Sequence, residues 1–372
     1  MTMKDWPHYA DDEIAAAERV MRSGRVNYWT GTEGREFEEE FAAYLGVEHA
    51  VAVANGTVAL ELALRALGIG PGDEVIVPAR TFIGTATAVV ACGAHPVAAD
   101  VDYVSQVLTV EAIRAVFTRS TRAVIPVHLA GWPCDMDTIM EFAQENALLV
   151  IEDCAQAHGA QLRGRAVGSF GDAAAFSFCT DKIMSTCGEG GMLVTSSENV
   201  WRSAWEYKDH GRGHEAMRIA AEQGGYEFKW IVDHFGTNWR MTEIQAAVGR
   251  LQLQKLDSWV EIRRRNAAAL AEELEGIPGV NVMVPPQAVR HSYYKFYFTL
   301  DVNGLGSGWS RGRILEELNG IGVPALMGIC PDISREKAFD SLSSPRNSHH
   351  PTAALLGQRS IVLPIHPTLA TQ

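Results

Sequence analysis

Residues 176–191 read FSFCTDKIMSTCGEGG, and the lysine in this stretch, Lys182, is a candidate nucleophile. It follows an apolar run from Ala173 to Phe178 that is typical of a buried strand, and it precedes a glycine-rich turn. A lysine at the edge of an apolar interior loses solvation, which disfavours its ammonium form and frees the amine to attack a carbonyl. The alternative is a solvated loop lysine, and this stretch alone leaves both interpretations open.

Polar residues also follow two other apolar runs, at the ends where sheets of parallel strands bind their ligands. Asp153 ends the run LLVIED, and a carboxylate there needs a charged or hydrogen-bonded partner. The turn Asn55-Gly56-Thr57 joins a strand to a helix, where free amides and a hydroxyl suit a phosphate. Each feature has a structural alternative, which is a helix cap or ion pair for Asp153 and a threonine N-cap for the turn.

Two further residues extend the set of candidates. Ser177 could donate to a phosphate, although bonding to backbone is commoner for a buried serine, and Phe82 could cover a flat ring, although core packing is the default for phenylalanine. Pyridoxal phosphate requires this combination: a lysine for the Schiff base, an acid that keeps the pyridine nitrogen protonated, and amides and hydroxyls for the phosphate. Together, the strand ends predict a pyridoxal phosphate site.

The elements that would position these residues alternate between apolar runs and helix-like stretches over residues 50–195. This pattern is typical of a mostly parallel sheet covered by helices on both faces. The runs that predict strands are AVAVA, EVIVP, HPVAAD, RAVIPVH, LLVIED, DAAAFSF and GMLVT.

The C-terminal part of the sequence has a different pattern. A long helix is predicted from about Thr242 to a GIPG break, followed by a strand over YYKFYFTLDV, a helix over SRGRILEELNGIG and an irregular region after residue 330. We expect two domains, a large domain of residues 1–259 and a smaller one of residues 260–372.

The composition excludes several classes of protein. With 372 residues, 47% of them hydrophobic and 21% charged, the chain is neither disordered nor fibrous. The formal net charge of -13 argues against a nucleic acid partner. No apolar run approaches the length of a membrane span, and the first residues lack the apolar core of a secretory signal, so we expect a cytoplasmic protein without a membrane partner. The spacing of the six cysteines matches neither a metal site nor a disulfide framework. We therefore expect the cysteines to be reduced, small core residues, and we expect no metal site.

Four stretches resemble the sugar aminotransferases of the DegT/DnrJ/EryC1/StrS family. They are FSFCTDKIMSTCGEGG, VIEDCAQAHGA, GDEVIVPARTF and GTNWRMTEIQAAVG, and they occur in the order found in that family. The resemblance covers nearly the whole chain. It implies the aspartate aminotransferase type I fold, which has a mostly parallel central sheet flanked by helices and a smaller C-terminal α/β domain.

The resemblance also implies roles for individual residues around the cofactor ring. By position, Lys182 would be the Schiff-base lysine and Asp153 the partner of the pyridinium nitrogen. Gln156 would lie near the phenolic oxygen, and Phe82 would stack on the ring face.

A second group of residues would hold the phosphate of pyridoxal phosphate. Gly56, Thr57 and Ser177 are implied to bind it within one subunit. Asn238 would reach the phosphate in the neighbouring subunit, which implies a homodimer with shared active sites.

The implied reaction is transamination from glutamate, or in some relatives glutamine, to a keto-sugar that is often linked to a nucleotide. Such an activity serves polysaccharide or amino-sugar metabolite synthesis. The basic residues that could hold the acceptor's phosphates or the donor's carboxylate are Arg212, Lys208, Lys229, Arg240 and Lys295.

Other functions stay open beside this one. The acceptor could be a keto-cyclitol, or the scaffold could serve a sugar dehydratase, although related dehydratases without an iron–sulfur cluster replace the lysine by histidine. A non-catalytic protein of the same fold would have no need of Lys182. A nicotinamide oxidoreductase is disfavoured because no dinucleotide fingerprint follows a predicted strand.

Overall fold

The computed structural model of the protein describes residues 6–224, 228–342 and 349–369. A seven-stranded sheet forms the centre of the fold. The strands in chain order are β1 (His49–Val53), β2 (Glu74–Pro78), β3 (His95–Ala99), β4 (Thr121–Val124), β5 (Leu149–Asp153), β6 (Gln161–Leu162), β7 (Arg165–Ala166), β8 (Ala173–Ser177), β9 (Gly191–Thr195), β10 (Val280–Val282), β11 (Val289–Arg290), β12 (Phe296–Leu300) and β13 (Ser360–Leu363). The helices are α1 (Asp11–Ser23), α2 (Glu33–Leu45), α3 (Gly56–Ala66), α4 (Gly84–Ala91), α5 (Val110–Val116), α6 (Met136–Glu145), α7 (Glu198–Lys208), α8 (His214–Gln223), α9 (Glu243–Leu274), α10 (Arg311–Gly320) and α11 (Pro351–Arg359). Short 3-10 helices cover Leu129–Gly131, Ile333–Arg335 and Lys337–Ser341.

The strand order of the central sheet is β1-β9-β8-β5-β4-β2-β3. Neighbouring strands from β8 to β3 pair in parallel, whereas β9 runs antiparallel to both of its neighbours. The predicted α/β fold with a mostly parallel sheet is therefore confirmed. Parallel strands end at the same edge of a sheet, so the residues that follow β2, β5 and β8 share one edge.

Apolar residues cover both faces of this sheet. In β1, Val51 and Val53 pack on one face with Leu62 of α3, while Ala50 and Ala52 pack on the other face with the aromatic residues of α2. Since successive side chains of a strand alternate between faces, a strand that is buried on both must be apolar throughout. This is why the continuous apolar runs predict the strands.

The long helix α9 has 32 residues and begins where the sequence predicts. Thr242 accepts a hydrogen bond from the Gln245 amide, and the Gln245 side chain accepts one from the Thr242 amide, so a capping box fixes the start of the helix. The helix continues through residue 260, and the division of the chain into two domains at that residue stays a prediction. Neither α9 nor any other helix of the described ranges is long and apolar enough to cross a bilayer.

A second, antiparallel sheet has the order β10-β12-β13 and shares its core with α10 and the end of α9. Its last strand, β13, and the helix before it, α11, contradict the irregular region that we expected after residue 330. The helix has nine residues and the strand four, so neither gives a long periodic pattern in the sequence.

The cysteines differ in exposure. Cys92, Cys134 and Cys154 are buried, Cys179 and Cys330 are partly exposed, and Cys187 is exposed. The expectation that all six are core residues is wrong for Cys187, because this residue lies in the turn between β8 and β9, where its backbone has a φ of 59°.

Candidate active site

Asp153 lies buried at the end of β5, with 5% of its surface exposed. Its Oδ2 accepts a hydrogen bond from the Thr85 hydroxyl at 2.9 Å, and its Oδ1 accepts one from the Ala155 amide at 3.1 Å. Burial raises the pKa of this carboxyl, and the two hydrogen bonds offset part of that rise. Among the described residues Asp153 has no ion-pair partner, so a protonated ring nitrogen would supply the charge that this carboxylate lacks.

Lys182 lies in the turn after β8, and 16% of its side chain is exposed. Its Nζ is 3.8 Å from Asp181 Oδ1 and 4.9 Å from the centre of the Tyr294 ring. Its carbonyl oxygen accepts a hydrogen bond from the Trp6 indole at 2.7 Å. Lys182 is therefore held by its neighbours and is not a solvated loop lysine.

Gly56 is the first residue of α3, and it contacts the end of β8. A Cβ placed on Gly56 would lie 2.6 Å from the Cβ of Ser177, so only glycine allows this approach. The N-cap of the helix is Asn55, whose side chain accepts a hydrogen bond from the Val58 amide at 3.0 Å, and this corrects the expected threonine cap. Thr57 instead lies in the first turn, so the start of α3 and Ser177 form a cradle for an anion.

Phe82 follows β2 at the same edge of the sheet, and 62% of the residue's surface is exposed. The core-packing interpretation of Phe82 is therefore wrong. A Cβ placed on Gly84 would lie 2.9 Å from the Phe82 ring and 3.1 Å from the Thr57 hydroxyl, so the aromatic ring adjoins the cradle. An exposed ring beside an anion cradle suits a flat, phosphorylated ligand.

Gln156 follows β5 and is fixed through its side chain. Its Oε1 accepts a hydrogen bond from the Ala130 amide at 2.8 Å. Ala130 belongs to a short turn after β4, where it has a φ of 56°. The amide group of Gln156 is thereby oriented, with its nitrogen left as a donor.

Asn238 lies in the segment between α8 and α9. Its side chain is exposed, and its backbone bridges to Asp209. The next residue, Trp239, accepts a hydrogen bond from the Ala54 amide at 2.9 Å, which places the segment alongside the end of β1. No hydrogen bond joins Asn238 to the cradle in the described part of this chain, and its contact with a neighbouring subunit stays a prediction.

A buried group of His128, Glu152 and Cys154 has its possible metal ligands within 4.8 Å of one another. The Glu152 carboxylate accepts hydrogen bonds from His128 Nε2 and from the backbone amides of Gly168, Phe170 and Gly171. His128 Nδ1 accepts one from the Cys134 amide at 3.0 Å. Because these hydrogen bonds use the lone pairs that a metal would need, the group is a structural support for the ends of β4 and β5.

Sequence reasoning missed several residues that the structure brings to the site. Thr85 bonds Asp153, while Asp181 accepts a hydrogen bond from the Tyr294 hydroxyl beside Lys182. Tyr294 comes from the chain after α9, and no local pattern links it to the lysine turn. A tyrosine in the apolar stretch YYKFYFTLDV was the only available signal.

A lysine turn, a buried acid and an anion cradle at one edge of a mostly parallel sheet define the pyridoxal-phosphate-dependent aminotransferases of this fold. Residues 7–372 match the DegT/DnrJ/EryC1/StrS aminotransferase family, and the chain belongs to this family. The family expected from the sequence is thus confirmed, and so is the class of enzyme.

Two curated relatives and one solved structure show how far the similarity extends. UDP-N-acetyl-3-dehydro-α-D-glucosamine 3-aminotransferase of Acidithiobacillus ferrooxidans is 39% identical over 347 residues, which cover 92% of this chain and 86% of that protein. GDP-perosamine synthase of Caulobacter vibrioides is 42% identical over 300 residues, or 79% of this chain and 76% of that one. The X-ray structure of the aminotransferase from Psychrobacter cryohalolentis has a TM-score of 0.96 and 45% identity, covering 99% of this chain and 95% of that chain.

Proposed function

We propose that this protein transfers an amino group from glutamate or glutamine to a nucleotide-linked keto-sugar, with pyridoxal phosphate bound at Lys182. The observation that carries the proposal is the meeting of Lys182, the buried Asp153 and the Gly56–Ser177 cradle at one edge of the sheet. The relatives support the choice of acceptor, since one acts on a 3-dehydro sugar linked to UDP and another makes a GDP-linked amino sugar.

The residues present fit pyridoxal phosphate group by group. The amides at the start of α3, the Thr57 hydroxyl and the Ser177 hydroxyl would hold its phosphate, where the helix dipole favours negative charge. Phe82 would cover one face of the ring, because its own ring is exposed beside the cradle. Gln156 would donate to the phenolic oxygen.

When bound, the cofactor supplies an electron sink for the bonds at the donor's α-carbon. Asp153 would keep a proton on the ring nitrogen, because a buried carboxylate is stabilised by an adjacent positive charge. The Lys182 amine would take the proton from the donor's α-carbon and return it to the cofactor side of the substrate. Asp181 and Tyr294 lie beside that amine.

A homodimer with shared sites is part of the proposal. The segment 228–235, which precedes Asn238, exposes four large apolar side chains: Phe228 at 76%, Trp230 at 89%, Val232 at 60% and Phe235 at 97%. Contiguous exposed apolar groups mark surfaces that bind another protein. We place the second copy of the chain on this segment, which would bring Asn238 to the partner's cofactor phosphate.

The proposal is tested first on the cofactor. The purified protein, loaded with pyridoxal phosphate, should absorb visible light, and borohydride should attach the cofactor to the peptide that contains Lys182. Lys182→Ala protein serves as the control and should show no such attachment. A wild-type protein that stays colourless after reconstitution would contradict the proposal.

The acceptor is then tested with a panel of nucleotide-linked keto-sugars and keto-cyclitols, using release of 2-oxoglutarate from glutamate as the readout. UDP-N-acetyl-3-dehydro-glucosamine is the first probe, because a relative acts on it. If a keto-cyclitol is turned over and none of the nucleotide-linked sugars is, the protein is a keto-cyclitol aminotransferase.

A further inference from the structure

The structure separates the five basic residues that the sequence offers for anionic substrate groups. Lys208 is fully buried and donates to Glu38 at 2.7 Å. Arg240 and Arg212 both pair with Asp209. Three of the five cations are therefore already matched by carboxylates of their own chain.

The remaining two differ in position. Lys229 belongs to the apolar segment 228–235, whereas Lys295 lies next to Lys182. The Lys295 Nζ is 3.9 Å from Asp181 Oδ2 and 4.9 Å from the centre of the Tyr294 ring. Lys182 contacts the same carboxylate and the same ring, so the two amines share one environment.

The backbone that carries Lys295 is held against the active-site turn. The Tyr294 amide donates to the Ala130 carbonyl at 2.8 Å, and Ala130 is the residue that orients Gln156. The buried guanidinium of Arg263 bonds the carbonyl oxygens of Tyr293 and Tyr294 at 3.3 Å. Lys295 thus has a fixed position relative to the residues proposed to hold the cofactor ring.

The charges around Lys295 favour an anionic ligand. The amino groups of Lys182 and Lys295 both face the single carboxylate of Asp181. At 3.9 Å that carboxylate is too far to accept a hydrogen bond from Lys295, and in the described part of the chain no other group accepts one. Burial lowers the pKa of Lys295 and Asp181 offsets only part of that effect, so a second carboxylate would stabilise the charged amine. With 25% of its side chain exposed, Lys295 is open to a ligand.

The chemistry of transamination indicates which substrate would carry the anionic group that Lys295 binds. The α-carboxylate of an amino acid donor is bonded directly to the carbon from which Lys182 would take a proton, so it must lie close to that amine. A keto-sugar carries no carboxylate on its reacting carbon, and its nucleotide phosphates lie further along the molecule. We propose that Lys295 forms the subsite for the α-carboxylate of the amino donor, an assignment that rests on the proposed function.

The two halves of the reaction can be measured separately, and this separates the donor from the acceptor. Lys295→Gln protein loaded with pyridoxal phosphate is mixed with L-glutamate, and the visible band is followed over a single turnover. The apparent dissociation constant for glutamate should rise about 10- to 100-fold, the loss expected for one charge-assisted hydrogen bond, while the limiting rate changes far less. The pyridoxamine phosphate form of the variant should react with UDP-N-acetyl-3-dehydro-glucosamine, or with another acceptor from the panel, as the wild type does.

Two further variants control the experiment. Lys295→Arg keeps the positive charge and should retain most of the glutamate affinity. Lys255→Gln makes the same substitution in α9, where Lys255 pairs with Asp12 at 2.8 Å, and should leave both half-reactions unchanged. Unchanged glutamate affinity in Lys295→Gln, or an equal loss of substrate affinity in both half-reactions, would overturn the assignment of Lys295 to the donor's carboxylate. A wild-type protein that binds no cofactor or reacts with neither donor would instead contradict the proposed function.

Discussion

The Thr85 hydroxyl donates a 2.9 Å hydrogen bond to Oδ2 of Asp153, so the first turn of α4 fixes the acid at the end of β5. Both side chains are buried, with 2% and 5% of their surfaces exposed. In a site screened from water, one neutral donor has a strong influence on the charged state of a carboxyl. Thr85 is therefore a positioning residue for Asp153, and its hydrogen bond is one of the contacts that lower the pKa of this carboxyl against the larger effect of burial.

Replacing Thr85 by valine should move the pH dependence of the reaction. Without the hydroxyl, the pKa of Asp153 rises further, so the acid loses its charge at a higher pH and the acidic limb of the profile moves upward. At pH 7 we expect kcat/KM to fall about fivefold to tenfold, the effect of one lost hydrogen bond. Thr87→Val on the same helix, where the hydroxyl donates to the Ile83 carbonyl, is the matched control. An acidic limb that stays in place would show that Thr85 does not act through Asp153.

Asp153→Asn should stabilise the cofactor-free protein while it removes most of the activity. Because burial raises the pKa of Asp153 in the folded state, the unfolded chain releases its proton first as the pH rises, and ionisation favours unfolding. Wild-type stability should therefore fall with rising pH through the interval above the ordinary aspartate pKa, and the asparagine variant lacks this loss. Urea unfolding at pH 7.5 should show a gain of about 1 kcal/mol, within the usual range for relieving a strained functional residue. Activity should fall about 100-fold or more, and an equal or lower free energy of unfolding in the variant would contradict the argument.

Gly56→Ala should weaken cofactor binding. The new Cβ would lie 2.6 Å from the Cβ of Ser177, so the start of α3 must move away from β8 and open the cradle. We expect a cost of about 1–3 kcal/mol in the free energy of unfolding and a clear loss of affinity for pyridoxal phosphate, measured by titration of the visible band. Gly70→Ala is the control, because its Cβ would meet no atom closer than 3.9 Å. If the Gly56 variant binds pyridoxal phosphate with full affinity, the cradle is not part of the cofactor site.

Shared active sites can be tested by mixing two inactive variants, Lys182→Ala and Asn238→Ala. If Asn238 serves the partner's cofactor, each mixed dimer contains one site with both residues intact. Random assortment should then restore up to about a quarter of the wild-type activity, since half of the dimers are mixed and one of their two sites works. If Asn238 served its own chain, mixing would restore none.

The sequence predicts the centre of this site because apolar strands end at polar residues. Asp153, Ser177 and Lys182 all follow buried runs, and the edge of a parallel sheet brings such ends together. Thr85 was missed since it lies 68 positions from Asp153, and no periodicity connects a helix turn to a strand end at that distance. Lys295 remained one of five equivalent cations, because only the fold shows which of them faces the lysine turn.

Phe82 and β13 show two other limits of the sequence. An exposed phenylalanine cannot be distinguished from a core residue by type, because burial is decided by what packs against it. The four residues of β13 gain their strand conformation from pairing with β12, which is a contact between distant parts of the chain. The domain boundary and the role of Asn238 stay predictions.

His350 links the C-terminal part of the chain to the central sheet. Its Nδ1 lies 3.0 Å from Asp332 Oδ2, and its Nε2 lies 3.2 Å from the Ala98 carbonyl at the end of β3. Both partners are acceptors, so the protonated ring satisfies both. Burial lowers the pKa of His350, but the hydrogen bond and the charge of Asp332, the hydrogen bond to the Ala98 carbonyl and the charge of Asp100 together raise it above its ordinary value. The pKa of Asp332 is lowered, because the hydrogen bonds from His350 and Ser334 outweigh its burial.

This pair should make stability depend on pH. Folding raises the pKa of this histidine, so the protonated ring stabilises the folded protein fully at a pH below the histidine's pKa in the unfolded chain. This stabilisation is lost as the pH rises through the histidine's pKa in the folded protein. Asp332 acts in the opposite sense, and its contribution is lost only when the pH falls through its lowered folded pKa. His350→Gln should therefore cost about 1.5–3 kcal/mol in urea unfolding at pH 6, the range for a hydrogen bond to a charged group, and clearly less at pH 9. Arg335, which lies 3.7 Å from Asp332 but is mostly exposed, provides the control: Arg335→Gln should cost little at either pH. A cost for His350→Gln that is equal at both values would show that the protonated ring does not hold this contact.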